Sequence, residues 1–281
     1  MSRRWQQVKH GLKRNRPAQL SLLVLVIFSI AALLATFSPW DPNQMSLTAR
    51  LTPPDAQHWF GTDDYGRDYF TRALYGGQIS LMVGFLAMIF STLIGTLVGT
   101  VSGYFGGRID NLMMRVVDIL MSIPAFFLLL VLNAYLKPGI ANIIVIISAL
   151  TWMSMSRLVR AETLSVKERE YVVYARACGE HPLIIIARHI IPNILPTIMV
   201  AATLNIASAI LMESTLSFLG LGVQQPNASW GSMLNNAQSF IGEATWLAMF
   251  PGVLILLTVL SFNVLGDVLR TAFEPGANRD E

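Results

Sequence analysis

Six apolar stretches of this chain run for 18 residues or more without an Asp, Glu, Lys or Arg: residues 17–40, 73–107, 119–136, 138–156, 189–212 and 244–266. A bilayer's hydrocarbon core is about 30 Å thick and takes about 20 apolar residues in helix. Inside it every backbone N–H and C=O needs an internal partner, which only helices and closed barrels provide. The stretches are continuous runs of Leu, Ile, Val, Phe, Ala and Met rather than alternating ones, so they read as helices. Composition agrees. Hydrophobic residues make up 53% of the 281 and charged residues 13%, too little charge to cover a water-exposed surface, where about a quarter is usual.

The sequence therefore predicts an all-α integral membrane fold with six transmembrane helices, near residues 17–38, 77–103, 112–136, 139–157, 190–212 and 245–267. The third and fourth meet at a tight turn, Lys137-Pro138-Gly139. A further uncharged stretch, 214–242, holds Gly220, Gly222, Gln224, Gln225, Pro226, Asn227, Asn235 and Asn236 and reads as loop or short re-entrant pieces. Basic residues set the orientation, because cytoplasmic loops carry an excess of Lys and Arg. With the N-terminus inside, only Arg50, Arg67, Arg72 and Lys137 of the 20 Lys and Arg residues face outward. Both termini are then cytoplasmic. The chain divides into a cytoplasmic segment 1–16 and one membrane domain 17–281, with a cytoplasmic loop 157–189 and periplasmic segments 39–76 and 213–244. The basic start followed by an apolar run has the outline of a cleaved signal peptide. Its uncharged span is longer than the usual 7–15-residue apolar region of about that kind, and Pro39-Trp40 makes a poor cleavage site.

A lone cysteine, Cys178, excludes an intrachain disulfide. The histidines form no ligand-spaced cluster, although His181 and His189 lie eight apart and could share a helix face; no metal site is expected. A net charge of +3 points to no nucleic-acid partner. Membrane lipid is the expected surroundings. In the second span Ala87, Ser91, Gly95, Gly99 and Gly103 recur every fourth residue. They form one ridge without bulky side chains, where a neighbouring backbone can approach closely. This places the helix in the interior, in a structural contact or along a pore-lining groove. Ionisable residues inside the spans are scarce. Asp118 and Asp267 fall at cytoplasmic ends and Glu213 at an outer end, whereas ion-coupled carriers keep such groups near the midplane. Energy must then enter elsewhere.

The loop 157–189 is the candidate. Helix formers dominate it, Gly179 interrupts them, and Pro182 follows. Gly is the usual residue just past a helix end and Pro suits a first helical turn. The reading is a helix, a sharp turn at Gly179, and a second short helix running into the fifth span. Such an elbow offers a compact knob to a cytoplasmic partner, although alone it could be a solvated connector. No GxxxxGK pattern followed by Ser or Thr is present, so the chain carries no ATPase signature of its own.

The stretch Tyr171-Val-Val-Tyr-Ala-Arg-Ala-Cys-Gly179, with Arg188-His-Ile-Ile-Pro-Asn-Ile-Leu-Pro196, resembles the coupling loop of binding-protein-dependent ABC importer permeases. That family's pattern is a Glu-Ala-Ala triplet, a glycine and a later proline. Ala175, Gly179 and Pro192 match; Val173 and Tyr174 stand where Glu and the first Ala are expected, so no salt bridge from position 173 is implied. Gly61-Thr-Asp-Asp-Tyr-Gly-Arg-Asp68 with Arg72 and Ile79-Ser-Leu81, then Ser217-Phe-Leu-Gly-Leu-Gly222, Trp230-Gly-Ser-Met-Leu234 and Phe262-Asn-Val-Leu-Gly-Asp-Val-Leu-Arg270, resemble the dipeptide, oligopeptide and nickel permeases, nearest the C-type subunit. The resemblance implies the ABC importer permease (MetI-like) fold in a bacterial inner membrane. It also implies a heterodimer with a homologous permease, two ATP-binding ABC subunits that hold ATP and Mg, and an extracytoplasmic solute-binding protein. The chain itself would be non-catalytic, bind no cofactor, and move solute by alternating access. Tyr171, Ala175, Arg176, Ala177, Gly179 and Pro182 would couple to the ATPases, with small Ala175 and Ala177 entering a groove and Arg176 making a charged contact. Gln224, Trp230 and Asn235 would line an outer vestibule. Di- or oligopeptides are the expected solutes, nickel or metal chelates the alternative, and a secondary carrier the rival of a different class.

Overall fold

The computed structural model describes Leu12 and residues 15–136 and 139–273. Most of segment 1–16 and part of the turn expected at Lys137-Pro138-Gly139 fall outside these residues. Helix α1, Arg16–Leu33, starts where the Asn15 side chain accepts from the Ala18 N–H, with Pro17 in its first turn; this caps one of the orphan donors of a helix start. A 3₁₀ turn carries it on to Phe37. Residues 38–68 make an irregular layer held by buried charge: Arg67 Nε donates to Asp63 at 2.6 Å, Arg72 Nε lies 3.6 Å from the same carboxylate, and His58 Nδ1 lies 2.8 Å from Asp68. Asp68 then caps α2, accepting from the Thr71 N–H at 2.7 Å.

α2 spans Tyr69–Phe105 and ends at Gly106, whose φ is +63°. It is followed by α3 (Gly107–Met121) and α4 (Ala125–Tyr135), then by α5 (Ile140–Val166). α6, Glu170–Ala177, is short. α7 runs over Pro182–Phe218, with a wider π turn at Ile186–Ile190 just before Pro192, which has no N–H to give an α-helical ladder. α8, Trp230–Ala237, begins in a capping box between Ser229 and Ser232. α9 is Trp246–Phe273. Among the described residues, five helices are long and apolar enough to cross a bilayer: α1, α2, α5, α7 and α9.

The third span is broken rather than continuous: α3 and α4 together pass as a sixth candidate span. The helix expected over 112–136 is two helices bent by 83°. α3 closes with the Ser122 N–H on Asp118 O, and Pro124, without an N–H, opens α4. The spans α2, α5, α7 and α9 are longer than their uncharged cores. α5 continues through Arg157 and Arg160 to Val166, so residues 157–166 of the expected loop are helix.

The core is built around α2. Ala87, Ser91, Gly95, Gly99 and Gly103 are all buried, and α5 lies along them. A Cβ added at Gly95 would sit 2.6 Å from Met155 Cβ, and one at Gly103 would sit 2.8 Å from Thr163 Cβ. Ser148 Oγ of α5 donates to Ala87 O at 3.4 Å. Where α2 leaves this ridge, Asp110 of α3 takes two hydrogen bonds from Arg160 of α5, Nε at 2.5 Å and Nη2 at 2.6 Å.

Candidate functional site

The elbow is built from local rules. α6 ends in a Schellman turn: the Glu180 N–H donates to Ala175 O at 3.2 Å, the Gly179 N–H donates to Arg176 O at 3.0 Å, and Gly179 has φ +80°. This is the left-handed conformation in which a Cβ is strained. Pro182 opens α7 with the His181 ring accepting from the Leu183 N–H at 3.3 Å. His189 Nε2 lies 2.9 Å from Glu180 Oε2 and ties the turn to the π segment. Val172, Ala175, Ile185, Ile186 and Ile190 form one apolar cluster with Met155, Val159 and Val166 of α5. The knob is thus packed against the bundle and presents its other face outward.

That outer face differs from expectation. Ala175 is 7% exposed and lies in the inner cluster, three residues on from Val172 and so on the same side of α6. It is not free to enter a partner's groove. Tyr174 is 73% exposed and Leu183 62%, with Tyr171, Val173 and Ile184 also exposed; Ala177 and Cys178 join them. Arg176 turns back on its own chain. Its guanidinium carbon lies 5.4 Å from the ring centroid of Tyr104, in the last turn of α2. Lys167, just before α6, donates from Nζ to Gly103 O at 2.9 Å. Pro182 is half-buried.

At the other end of α2, segment 219–237 folds onto the bundle. Trp230 is 2% exposed, and its indole N–H donates to Ala73 O at 2.9 Å. It fills a cluster with Tyr69, Ala73, Met233 and Leu247 and does not line a vestibule, because its ring is buried against α2 with its N–H on Ala73 O. Gln224 is exposed and donates to Gly220 O at 3.0 Å. Asn235 is half-buried and donates to Phe218 O at 2.6 Å. Sequence reasoning missed what holds this segment. Glu213 is fully buried, accepting from Ser80 Oγ at 3.0 Å and Ser217 Oγ at 2.7 Å, while Ser80 Oγ accepts from the Trp230 N–H at 3.3 Å. The available signal was Ser217, one turn beyond Glu213 on the same helix face. Glu213→Gln keeps an acceptor and is expected to behave near wild type. Glu213→Ala leaves buried hydroxyls unpaired, at about 1–3 kcal/mol, and should lower the unfolding midpoint of the purified protein.

The family described as "binding-protein-dependent transport system inner membrane component" matches residues 95–279, which hold the ridge's last three glycines, the elbow and the segment just described. The chain belongs to that family. The N-terminal domain of oligopeptide transport permease C matches residues 3–54. Among relatives, the dipeptide transport system permease DppC of Bacillus subtilis is 42% identical over 95% of this chain and 84% of its own. The probable D,D-dipeptide permease DdpC of Escherichia coli is 43% identical over 92% of this chain and 88% of its own. The oligopeptide permease OppC of Bacillus subtilis is 37% identical over 96% and 89%. A structure of the MetNI methionine ABC transporter in an inward-facing conformation superposes with a TM-score of 0.61 at 21% identity, covering 72% of this chain and 97% of that one. At that identity the likeness is one of fold. The chain is thus an ABC importer permease subunit of MetI-like architecture, a membrane component of a transport system.

Proposed function

We propose that this permease is one of two homologous membrane subunits of a peptide importer, driven by two ATP-binding subunits at the elbow and supplied by a solute-binding protein on the opposite face. The observation that carries the reading is the elbow itself. A short helix packed on the bundle through one side leaves Tyr174, Leu183, Ile184 and Val173 uncovered on the other, and clustered apolar side chains in water mark a protein contact. ATP and Mg are held by the partners. Closing of the ATPase pair displaces the elbow and the bundle rocks between outward- and inward-facing states; such a shift requires an element that differs between two states. Relatives named for dipeptide and oligopeptide transport support a peptide as solute. Gln224 and Asn235 lie on the face toward the binding protein and meet the solute as it is released. In this orientation the elbow and both termini are cytoplasmic.

The test is reconstitution. The permease pair purified with its ATPases should accumulate labelled di- or oligopeptide in proteoliposomes when ATP and the cognate binding protein are supplied. Uptake that proceeds without a copurifying ATPase would mean a secondary carrier, and uptake of a nickel chelate in place of peptide would reassign the solute. Reporter fusions at Ala56 and Gln225 should read outside and one at Glu168 inside. An outside reading at Glu168 would remove the elbow from reach of any ATPase.

A further inference from the structure

α2 is fastened at both ends, and the two fastenings belong to different functional surfaces. At the elbow, Lys167 Nζ holds Gly103 O at 2.9 Å and the Arg176 guanidinium covers the ring of Tyr104, 5.4 Å from its centroid. Lys167 precedes α6 and Arg176 sits in its last turn, so the coupling helix is gripped at both ends against two consecutive residues of α2. Tyr104 also packs on the cluster of Val172, Ala175 and Ile186. At the far end, Ser80 bridges Glu213 and the Trp230 N–H, and Ala73 O takes the Trp230 indole N–H. Between the two ends the helix is unbroken over 37 residues, about 55 Å. Backbone-close packing on α5 at Gly95, Gly99 and Gly103 leaves it little room to bend.

We infer that Lys167 and Tyr104 are positioning residues that lock the elbow to α2, making this helix a rod through which the state of the ATPases reaches segment 219–237 and the docked binding protein. The elbow also continues covalently into α7, but the π turn at Ile186–Ile190 interrupts regular α-helix there, whereas α2 has no such interruption. Coupling between two binding events is reciprocal. Docking of the binding protein and closure of the ATPase pair are then coupled through the same contacts, and the binding-protein concentration needed to stimulate hydrolysis reads that coupling. This inference rests on the elbow being the ATPase contact.

The test uses the whole transporter in lipid nanodiscs with its binding protein. In the double variant Lys167→Met, Tyr104→Leu, the ATPases should still copurify and the basal hydrolysis rate should stay near wild type. The concentration of solute-loaded binding protein giving half-maximal stimulation should rise at least about fivefold, the low end of allosteric coupling. Tyr104→Phe, which keeps the ring, and Lys167→Arg, which keeps the donor, should restore it. Wild-type stimulation in the double variant would overturn the inference. Should that variant fail to assemble, Lys167→Met alone decides: stimulation equal to wild type overturns the inference, and weakened stimulation with normal basal rate supports it. A wild-type permease pair that never binds an ATPase would defeat the elbow reading first, a result separate from either.

Discussion

A transporter carrying Gly99→Leu is expected not to assemble. A Cβ alone at position 99 would stand 2.5 Å from Ser156 O, 2.7 Å from Val159 Cβ and 2.9 Å from the Arg160 N. Two of these are backbone atoms of a continuous helix, so no rotamer change relieves the contact, and the remaining leucine carbons must go somewhere as well. Overpacking in a well-filled core costs about 1–3 kcal/mol when side chains can adjust; here α5 itself has to withdraw. Arg160 would be drawn from Asp110 with it, since α5 carries that guanidinium. The measurement is detergent-resistant complex after membrane extraction, compared at equal membrane abundance. An intact complex that transports normally would show that α2 and α5 are not in backbone contact. Gly99→Ala should lie between, since it adds only the clashing methyl.

Gly179→Val is expected to abolish uptake by a different route. The space around Gly179 is empty, with nothing within 4 Å of an added Cβ, so the effect is conformational alone. At φ +80° an L-residue pays about 1–2 kcal/mol, and a β-branched one is a genuine outlier. The chain escapes by unwinding the Schellman turn, which releases Glu180 from Ala175 O and moves the exposed Tyr174 face relative to Leu183. The membrane helices satisfy their own hydrogen bonds, so the protein should remain in the membrane at normal abundance while ATPase copurification falls. Gly179→Asn is the control, because Asn tolerates the left-handed region; it should retain most uptake. Normal uptake with Gly179→Val would mean that the ATPases engage another surface, such as residues 104–115.

How far these features could be read beforehand depended on which physical signal each leaves in the chain. The spans were legible because lipid excludes charge, and the lengths of α2, α5, α7 and α9 were underestimated for the same reason. Arg157, Arg160 and Glu162 mark where the apolar run stops but not where the helix of α5 stops. The Gly179 turn was legible because few residues accept its backbone angle. The break at residues 122–124 was not. Proline is an ambiguous mark in such helices: Pro196 and Pro251 lie inside continuous helices, while Pro124 follows one helix and begins another. Ala175 and Ala177 look alike in sequence, and the side of α6 each occupies separates them. Trp230 and Glu213 were opaque because their partners, Ala73 and Ser80, stand well over a hundred residues away.

The uncovered break has a consequence for how such a subunit is made. Ser122, Ile123 and Pro124 are exposed, and although Ser122 closes α3 on Asp118 O and Ile119 O, the helical ladder does not run on into α4. Irregular backbone in a bilayer survives only where protein or a wet cavity meets it. In a chain standing alone, this break is left without a covering surface. In the pairing proposed above, the homologous subunit is the protein that would cover this break. On that proposal, a permease made in excess of its sister is left with three residues of backbone uncovered.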